Sequence, residues 1–270
     1  EVYSVVDETD GARFALKTLH TPGSSRSALE QRFAREAELL CSLRHHAVAR
    51  LHHSGVDDGR PYFTMTLLHG ETLAQRLARG PMTEAEVRPL VATLCDALDF
   101  IHARGVIHRD LKPSNVFLTP DGAVLTDFGL ARPIDISHSS LSESSQVLGT
   151  LSYAAPEQLL GTEVTPRTDV YALAVVAFEA LTGRLPFDGE SPLAQGVARL
   201  SQDPLRITEV APDLPPTLER LLVASLSRKP QGRPASAGAF GRAFEDAFGR
   251  AHRRRLGRGA DPRPDPAVPA

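Results

Sequence analysis

In the first 70 residues the apolar positions fall in short runs broken by polar, Gly-bearing turns. Val2-Tyr3-Ser4-Val5-Val6 and Ala12 to Thr18 flank Asp7-Glu8-Thr9-Asp10-Gly11, which predicts two strands joined as a hairpin. Residues 24–42 change period: Leu29, Phe33, Ala37 and Leu40 recur at steps of three and four, the pattern of an amphipathic helix. Residues 49–53 and 62–68 read as two further strands around the turn Asp57-Asp58-Gly59. After Gly70 the helical period takes over. Helices are expected at 72–79 and 83–104, the second opened by a capping-box pair, Thr83 and Glu86, bent at Pro89 and stopped by Gly105. Further helices are expected near 156–160, 168–182, 190–200, 216–226 and 236–248, with Gly and Pro breakers between them. Residues 249–270, rich in Arg, Pro and Ala without apolar period, read as a disordered basic linker.

Composition narrows the function classes. The 270 residues are 41% hydrophobic and 23% charged, enough apolar content for a buried core. Thirty Lys and Arg against 33 Asp and Glu leave a net charge of −3, so no global positive field marks a nucleic-acid or anionic-membrane binder. Cys41 and Cys95 sit in apolar, helix-like contexts and read as core thiols, which fits a reducing, cytoplasmic compartment. The longest apolar run, Val170 to Leu181, carries Glu179 and is too short to cross a bilayer, so a membrane anchor would have to come from beyond Ala270. The chain opens inside a strand-like run and reads as a fragment of something longer.

The chemistry is concentrated in His108-Arg109-Asp110-Leu111-Lys112-Pro113-Ser114-Asn115, followed by Asp127-Phe128-Gly129 and Ala155-Pro156-Glu157. In this order and spacing the segments resemble the catalytic loop, metal-binding Asp and activation-segment end of the protein kinase superfamily. Phe14-Ala15-Leu16-Lys17 resembles the strand that carries the ATP lysine, and Glu36 lies in the helix whose Glu pairs with it. The resemblance covers residues 1 to about 248. It implies an α+β, two-lobed fold: a small antiparallel β lobe with one helix (1–68), and a larger, mainly helical lobe (69–248). It also implies that the strand and Gly-rich turn covering the ATP phosphates would precede Val2.

Phosphoryl transfer passes through a loose transition state, so a catalyst must orient the hydroxyl, hold the metal and neutralise charge. The resemblance assigns Asp110 to the accepting hydroxyl and Lys112 to the transferring phosphoryl group. Asn115 and Asp127 supply hard oxygens of the kind Mg²⁺ prefers. Lys17 holds the α- and β-phosphates, with Glu36 as its ion-pair partner. Backbone groups of Thr66 and Leu68 pair with the adenine edge, Met65 controls access behind it, and Val2, Ala15 and Phe117 cover its faces. Asp-Leu-Lys-Pro-Xaa-Asn in the loop is similar to kinases acting on Ser and Thr, and Thr150 is placed to bond Asp110 and Lys112.

The expected activity is thus ATP- and Mg²⁺-dependent phosphorylation of protein Ser and Thr, similar to the bacterial eukaryotic-like kinases. A pseudokinase acting as a scaffold, or a small-molecule phosphotransferase, shares part of the pattern. Between Ile134 and Gln146 lie Ser137, Ser139, Ser140, Ser142, Ser144 and Ser145. Phosphate there could pair with Arg109 and Arg132 and order the loop, with a kinase-domain dimer as one route to autophosphorylation. Two structural pairings are expected: Glu157 with Arg233, and Asp169 with the catalytic-loop backbone. His45, His46, His52 and His53 lack a clear ligand geometry, and His45 is expected to support a loop rather than a metal.

Overall fold

The computed structural model describes residues 2–18, 39–57, 60–128 and 151–258, with only the backbone described at 192, 193 and 250–258. Strands β1 (Val2–Val6), β2 (Arg13–Thr18), β3 (Leu51–Asp57) and β4 (Arg60–Thr66) form an antiparallel sheet in the order β1-β2-β4-β3. The register places Val2 opposite Lys17 and Ala15 opposite Met65. Of the expected helix over 24–42, only residues 39–42 are described, and these are helical; Glu36 lies outside the described residues.

The expected strand at 49–53 is displaced toward 57. Ala49 and Arg50 are spent on other contacts: Ala49 N–H donates to Leu125 O (2.9 Å), and Arg50 O accepts from Thr66 N–H (2.9 Å). The apolar run after Thr66 leaves the sheet, since Phe14, opposite Thr66, is the last residue of β2 paired to β4.

A second sheet joins the lobes: β5 (Glu71–Thr72), β6 (Val116–Thr119) and β7 (Gly122–Leu125), in that order. These strands were not expected, although Pro120-Asp121 between two apolar runs carries a hairpin signal. Gly70 has φ +141°, and a Cβ there would lie 2.0 Å from Leu118 O, so only glycine lets the chain enter β5 this close to β6.

The large lobe is built from α1 (Leu73–Leu77), α2 (Glu84–His102), α3 (Pro156–Leu159), α4 (Pro166–Thr182), α5 (Pro192–Ser201), α6 (Ile207–Val210), α7 (Pro216–Ser225) and α8 (Ala237–Arg258). The Thr83/Glu86 capping box opens α2. Helix α4 is the centre of the core, buried from Thr168 to Phe178. It begins two residues before the expected start because Thr165 is the N-cap and Pro166 occupies N1, where its missing N–H costs nothing. Among the described residues no helix is long and apolar enough to cross a membrane.

Helix α8 runs ten residues past its expected end at 248. Ala251, Leu256 and several Arg are strong helix formers, so a helix whose first turns are docked carries on through them. That docking depends on glycine: a Cβ at Gly241 would come 2.9 Å from Cys95 Sγ on α2. Burial pushes the Cys95 thiol up to about 12, as expected for an inert core thiol. Cys41 is only partly buried.

The expected Glu157–Arg233 pair ties α3 to the loop before α8. Arg233 Nη1 and Nη2 donate to the two carboxylate oxygens at 2.6 and 2.7 Å, and Thr168 Oγ1 adds a third bond at 2.8 Å. Burial raises the Glu157 pKa, but the Arg233 bonds and charge outweigh it and hold the carboxyl below its ordinary value. The pair therefore stabilises the fold fully above the unfolded value of about 4.3, and loses this as pH falls through the lower folded value. Arg233→Met leaves a buried carboxylate unpaired and should cost about 3–5 kcal/mol. The shift in urea midpoint at pH 7 measures this, and adding Glu157→Met should restore a large part of it.

Candidate active site

The loop from His108 to Asn115 is irregular, so its shape depends on what surrounds it. Asp169, 1% exposed at the start of α4, uses both oxygens on it. Oδ2 accepts from His108 N–H (2.8 Å) and lies 2.7 Å from His102 Nε2; Oδ1 accepts from Arg109 N–H (2.9 Å). This is the expected tie, with His102 as a partner that the sequence reading did not assign. The His108 ring is held in one tautomer: Nε2–H donates to Thr126 O (2.9 Å) and Nδ1 accepts from Asp110 N–H (3.3 Å). Thr126 in turn bonds Asn115 O through N–H (2.8 Å) and Oγ1 (3.1 Å). One buried imidazole thus links Asp110 to the segment leading into Asp127.

Two non-glycine residues have left-handed backbone, Arg109 (φ 65°) and Asp127 (φ 55°). Such a conformation costs on the order of 1–3 kcal/mol and persists only where surroundings enforce it. At Arg109 the enforcement is visible, since its N–H is taken by Asp169 and its carbonyl accepts from Gln158 Nε2 at 2.7 Å.

Within this frame Asp110, Lys112 and Asn115 converge. Lys112 Nζ donates to Asp110 Oδ2 (3.0 Å), as does Asn115 Nδ2 (3.0 Å), which also bonds Asp110 O (2.8 Å). Asp110 Oδ1 is buried and, among the described residues, has no partner. With its amide nitrogen turned to Asp110, Asn115 leaves its carbonyl oxygen for another ligand. A narrow gap too small for a water molecule lies beside Asp110, between Arg109, Tyr153, Ala154 and Gln158 on one side and Asp169 and Ala172 beneath.

Lys17 Nζ lies 2.6 Å from Asp127 Oδ1, which joins the small lobe to the residue expected to hold metal. The expected Lys17–Glu36 pair cannot be placed, because Glu36 lies outside the described residues. The same holds for Gly129, Arg132, Thr150 and the serines from 137 to 145. Phe128 is buried against His108, ring centroids 5.0 Å apart. On the adenine side, Met65 packs against the core, Ala15 is buried and Val2 is exposed. The N–H of Thr66 is engaged by Arg50, leaving at most its carbonyl for a base. Among the described residues neither backbone group of Leu68 is hydrogen-bonded. Phe117 sits in β6, opposite Thr72 and Val124.

Two features escaped the sequence reading. Tyr153 OH donates to Glu179 Oε2 (2.7 Å), and burial raises the pKa of both groups. Gln158 bridges Ala155 N–H and Arg109 O, so the Ala-Pro-Glu segment is bonded to the catalytic loop. Neither has a local sequence signal. Of the histidines, His45, His46 and Asp96 lie close enough to suggest a metal. His45 Nδ1, however, accepts Ala47 N–H (3.2 Å), so Nε2 carries the proton facing Asp96 (3.1 Å) and has no lone pair to give. His45 is a loop support, as expected, though it reaches α2 rather than a strand.

A two-lobed fold with this cluster at the lobe junction is the arrangement of a protein kinase domain. The profile of the protein kinase domain matches residues 1–244, and the chain belongs to that family. It is 36% identical over 277 residues to the serine/threonine-protein kinase PknA of Mycobacterium tuberculosis H37Rv, covering 100% of this chain and 63% of that protein. It is 38% identical over 244 residues to the serine/threonine-protein kinase Pkn1 of Myxococcus xanthus, covering 88% of this chain and 35% of that one. The chain thus spans less than two thirds of either relative. The fold matches the crystal structure of the Mycobacterium tuberculosis PknI kinase domain with a TM-score of 0.73 at 29% identity, over 91% of this chain and 90% of that one.

Asp169→Asn removes one acceptor from two buried backbone donors and a histidine. Phosphoryl transfer should fall by about one to two decades, the effect of roughly 1–3 kcal/mol, with the KM for ATP changed less than about twofold. Steady-state kinetics with ATP varied at saturating protein substrate measure both.

Proposed function

We propose that this domain transfers the γ-phosphate of ATP to Ser and Thr hydroxyls of proteins. The observation that carries the reading is Asp110, whose Oδ2 is doubly engaged while Oδ1 is buried and without a partner among the described residues. A buried acceptor without a partner is costly, and a substrate hydroxyl donating to Oδ1 removes that cost while being oriented for in-line attack. Lys112, already beside Asp110, is placed to stabilise charge on the transferring group.

Asn115 Oδ1 and the Asp127 carboxylate fit a hard divalent cation, and Mg²⁺ there would neutralise charge on the phosphate oxygens. Lys17, in contact with Asp127, would bind the α- and β-phosphates, with Glu36 as its further partner. Adenine would lie between Val2, Ala15 and Phe117, paired with the Thr66 carbonyl and the backbone groups of Leu68, in front of Met65. The serine/threonine relatives and Lys112 in the loop support the choice of acceptor.

Arg109 Nε is also buried without a partner among the described residues. A phosphoserine from the Ser137–Ser145 stretch, with nearly two negative charges, would meet it together with Arg132 and order the activation segment, reached within one chain or across a kinase-domain dimer. We place the domain in the cytoplasm, in a signalling role.

Asp110→Asn and Asp127→Asn should each lower transfer to a generic basic protein by at least about 100-fold with unchanged unfolding midpoints, the second also weakening Mg²⁺-dependent ATP binding. Wild-type transfer by the Asp127 variant would overturn the reading. After incubation with ATP and Mg²⁺, mass spectrometry should place phosphate between Ser137 and Thr150, and Arg109→Ala should abolish the activation that follows. Phosphate found only elsewhere would remove the loop from the proposal.

A further inference from the structure

Strands β3 and β4 pair as Leu51 opposite Met65 and then as His53 opposite Thr64, so the register steps past His52 and makes it the extra residue of a β-bulge. A bulge re-aims one side chain out of the alternation of the ladder. Here the half-buried His52 ring lies edge-on to Phe14 of β2, with centroids 4.8 Å apart, and brings Nε2 to 3.0 Å from Thr66 Oγ1. The backbone N–H of His53, the next residue along, donates to Thr64 Oγ1 at 3.2 Å. The threonines on either side of Met65 are thus both tied to β3 through their hydroxyls. Burial first, then Arg50, His53 and Arg44, push the His52 pKa below its ordinary value, so the ring meets Thr66 as a neutral group at pH 7.

A phenylalanine at position 52 would stack on Phe14 equally well, but it has no atom that bonds Thr66. Thr66 ends β4, where the chain leaves the small sheet, and its N–H is already taken by Arg50 O (2.9 Å). With the hydroxyl on His52 as well, at most the carbonyl is left for a base, on a residue that β3 holds at two points. We propose that His52 is a positioning residue for the nucleotide base: by fixing Thr66 it keeps that carbonyl a directed acceptor, and so sets the preference for adenine over guanine. Adenine presents an amino donor at C6, which a directed acceptor binds. Guanine presents an oxygen there, so a held carbonyl faces a second acceptor and rejects it, whereas a carbonyl free to turn does not. The proposal rests on the kinase reading above. It adds a selection between phosphoryl donors that neither the catalytic loop nor the metal-binding side chains supply.

The test compares wild type with His52→Phe, Thr66→Val, the double variant and His52→Gln, using ATP and GTP as donors and a generic basic protein as acceptor. In His52→Phe the KM for ATP should rise about three- to fivefold, and the ratio of kcat/KM for ATP to that for GTP should fall about tenfold, the worth of one lost hydrogen bond and one lost repulsion. Its kcat at saturating ATP and its KM for the protein should stay within about twofold. Thr66→Val, which removes only the hydroxyl, should lower the nucleotide ratio to the same extent, and the double variant no further, since both remove one bond. His52→Gln, whose side-chain amide reaches Oγ1, should recover most of the ratio. A nucleotide ratio unmoved in folded His52→Phe and Thr66→Val, or effects that add in the double variant, would overturn the proposal. Equilibrium dialysis with ATP and GTP reads the same selectivity without transfer. A chain that binds ATP in this way but transfers no phosphate would lose the kinase reading and keep the role of His52, whereas one that binds no ATP would lose both.

Discussion

The catalytic loop owes its shape to one carboxylate. Asp169 sits at the start of the most buried helix of the large lobe, and its two oxygens take the N–H groups of His108 and Arg109 together with the His102 ring. A loop has no ladder or helix to satisfy its backbone, so a buried loop must find partners residue by residue. Because α4 is held on nearly all sides by apolar contacts, Asp169 carries that rigidity into the loop. Asp110, Lys112 and Asn115 then follow as consequences of a backbone already placed.

The same frame maintains strained backbone. Arg109 and Asp127 both lie in the left-handed region, and each is bound on more than one side: Arg109 by Asp169 and Gln158, Asp127 by Lys17 and by the Thr126–His108–Asn115 links just before it. Strain of this kind is tolerated where it turns a side chain toward a partner, and the Asp127 carboxylate meets Lys17 across the lobe junction. The Ala-Pro-Glu segment is anchored independently, from below by Glu157–Arg233 and from the side by Arg199.

Backbone hydrogen bonds also join the lobes. Leu125 N–H donates to Ala47 O and its carbonyl accepts from Ala49 N–H, so the segment before β3 is hydrogen-bonded to the β6–β7 hairpin. Gly70 permits the other crossing. These contacts bring Lys17, carried by the small sheet, within 2.6 Å of Asp127, carried by the large lobe.

The sequence by itself determined the two-lobed class, most helices and the chemical centre, because these are written in local signals: apolar period, caps such as Thr83 and Glu86, and contiguous motifs such as His108 to Asn115. It also determined Glu157–Arg233 and the Asp169 tie, through family resemblance rather than any local pattern. Tertiary structure alone decided where β3 begins, since nothing in the residue types of Ala49 and Arg50 announces that their backbone groups are claimed by Leu125 and Thr66. It decided that α8 continues past 248, because its first turns are docked at Gly241 and the helix formers beyond carry it on. It decided the distant partners of Arg199, Gln158 and His102, which are 45 to 67 residues away in the chain. Hydrogen bonds at such separations leave no periodicity to read; they exist only once packing has brought the donor and the acceptor to the same buried place.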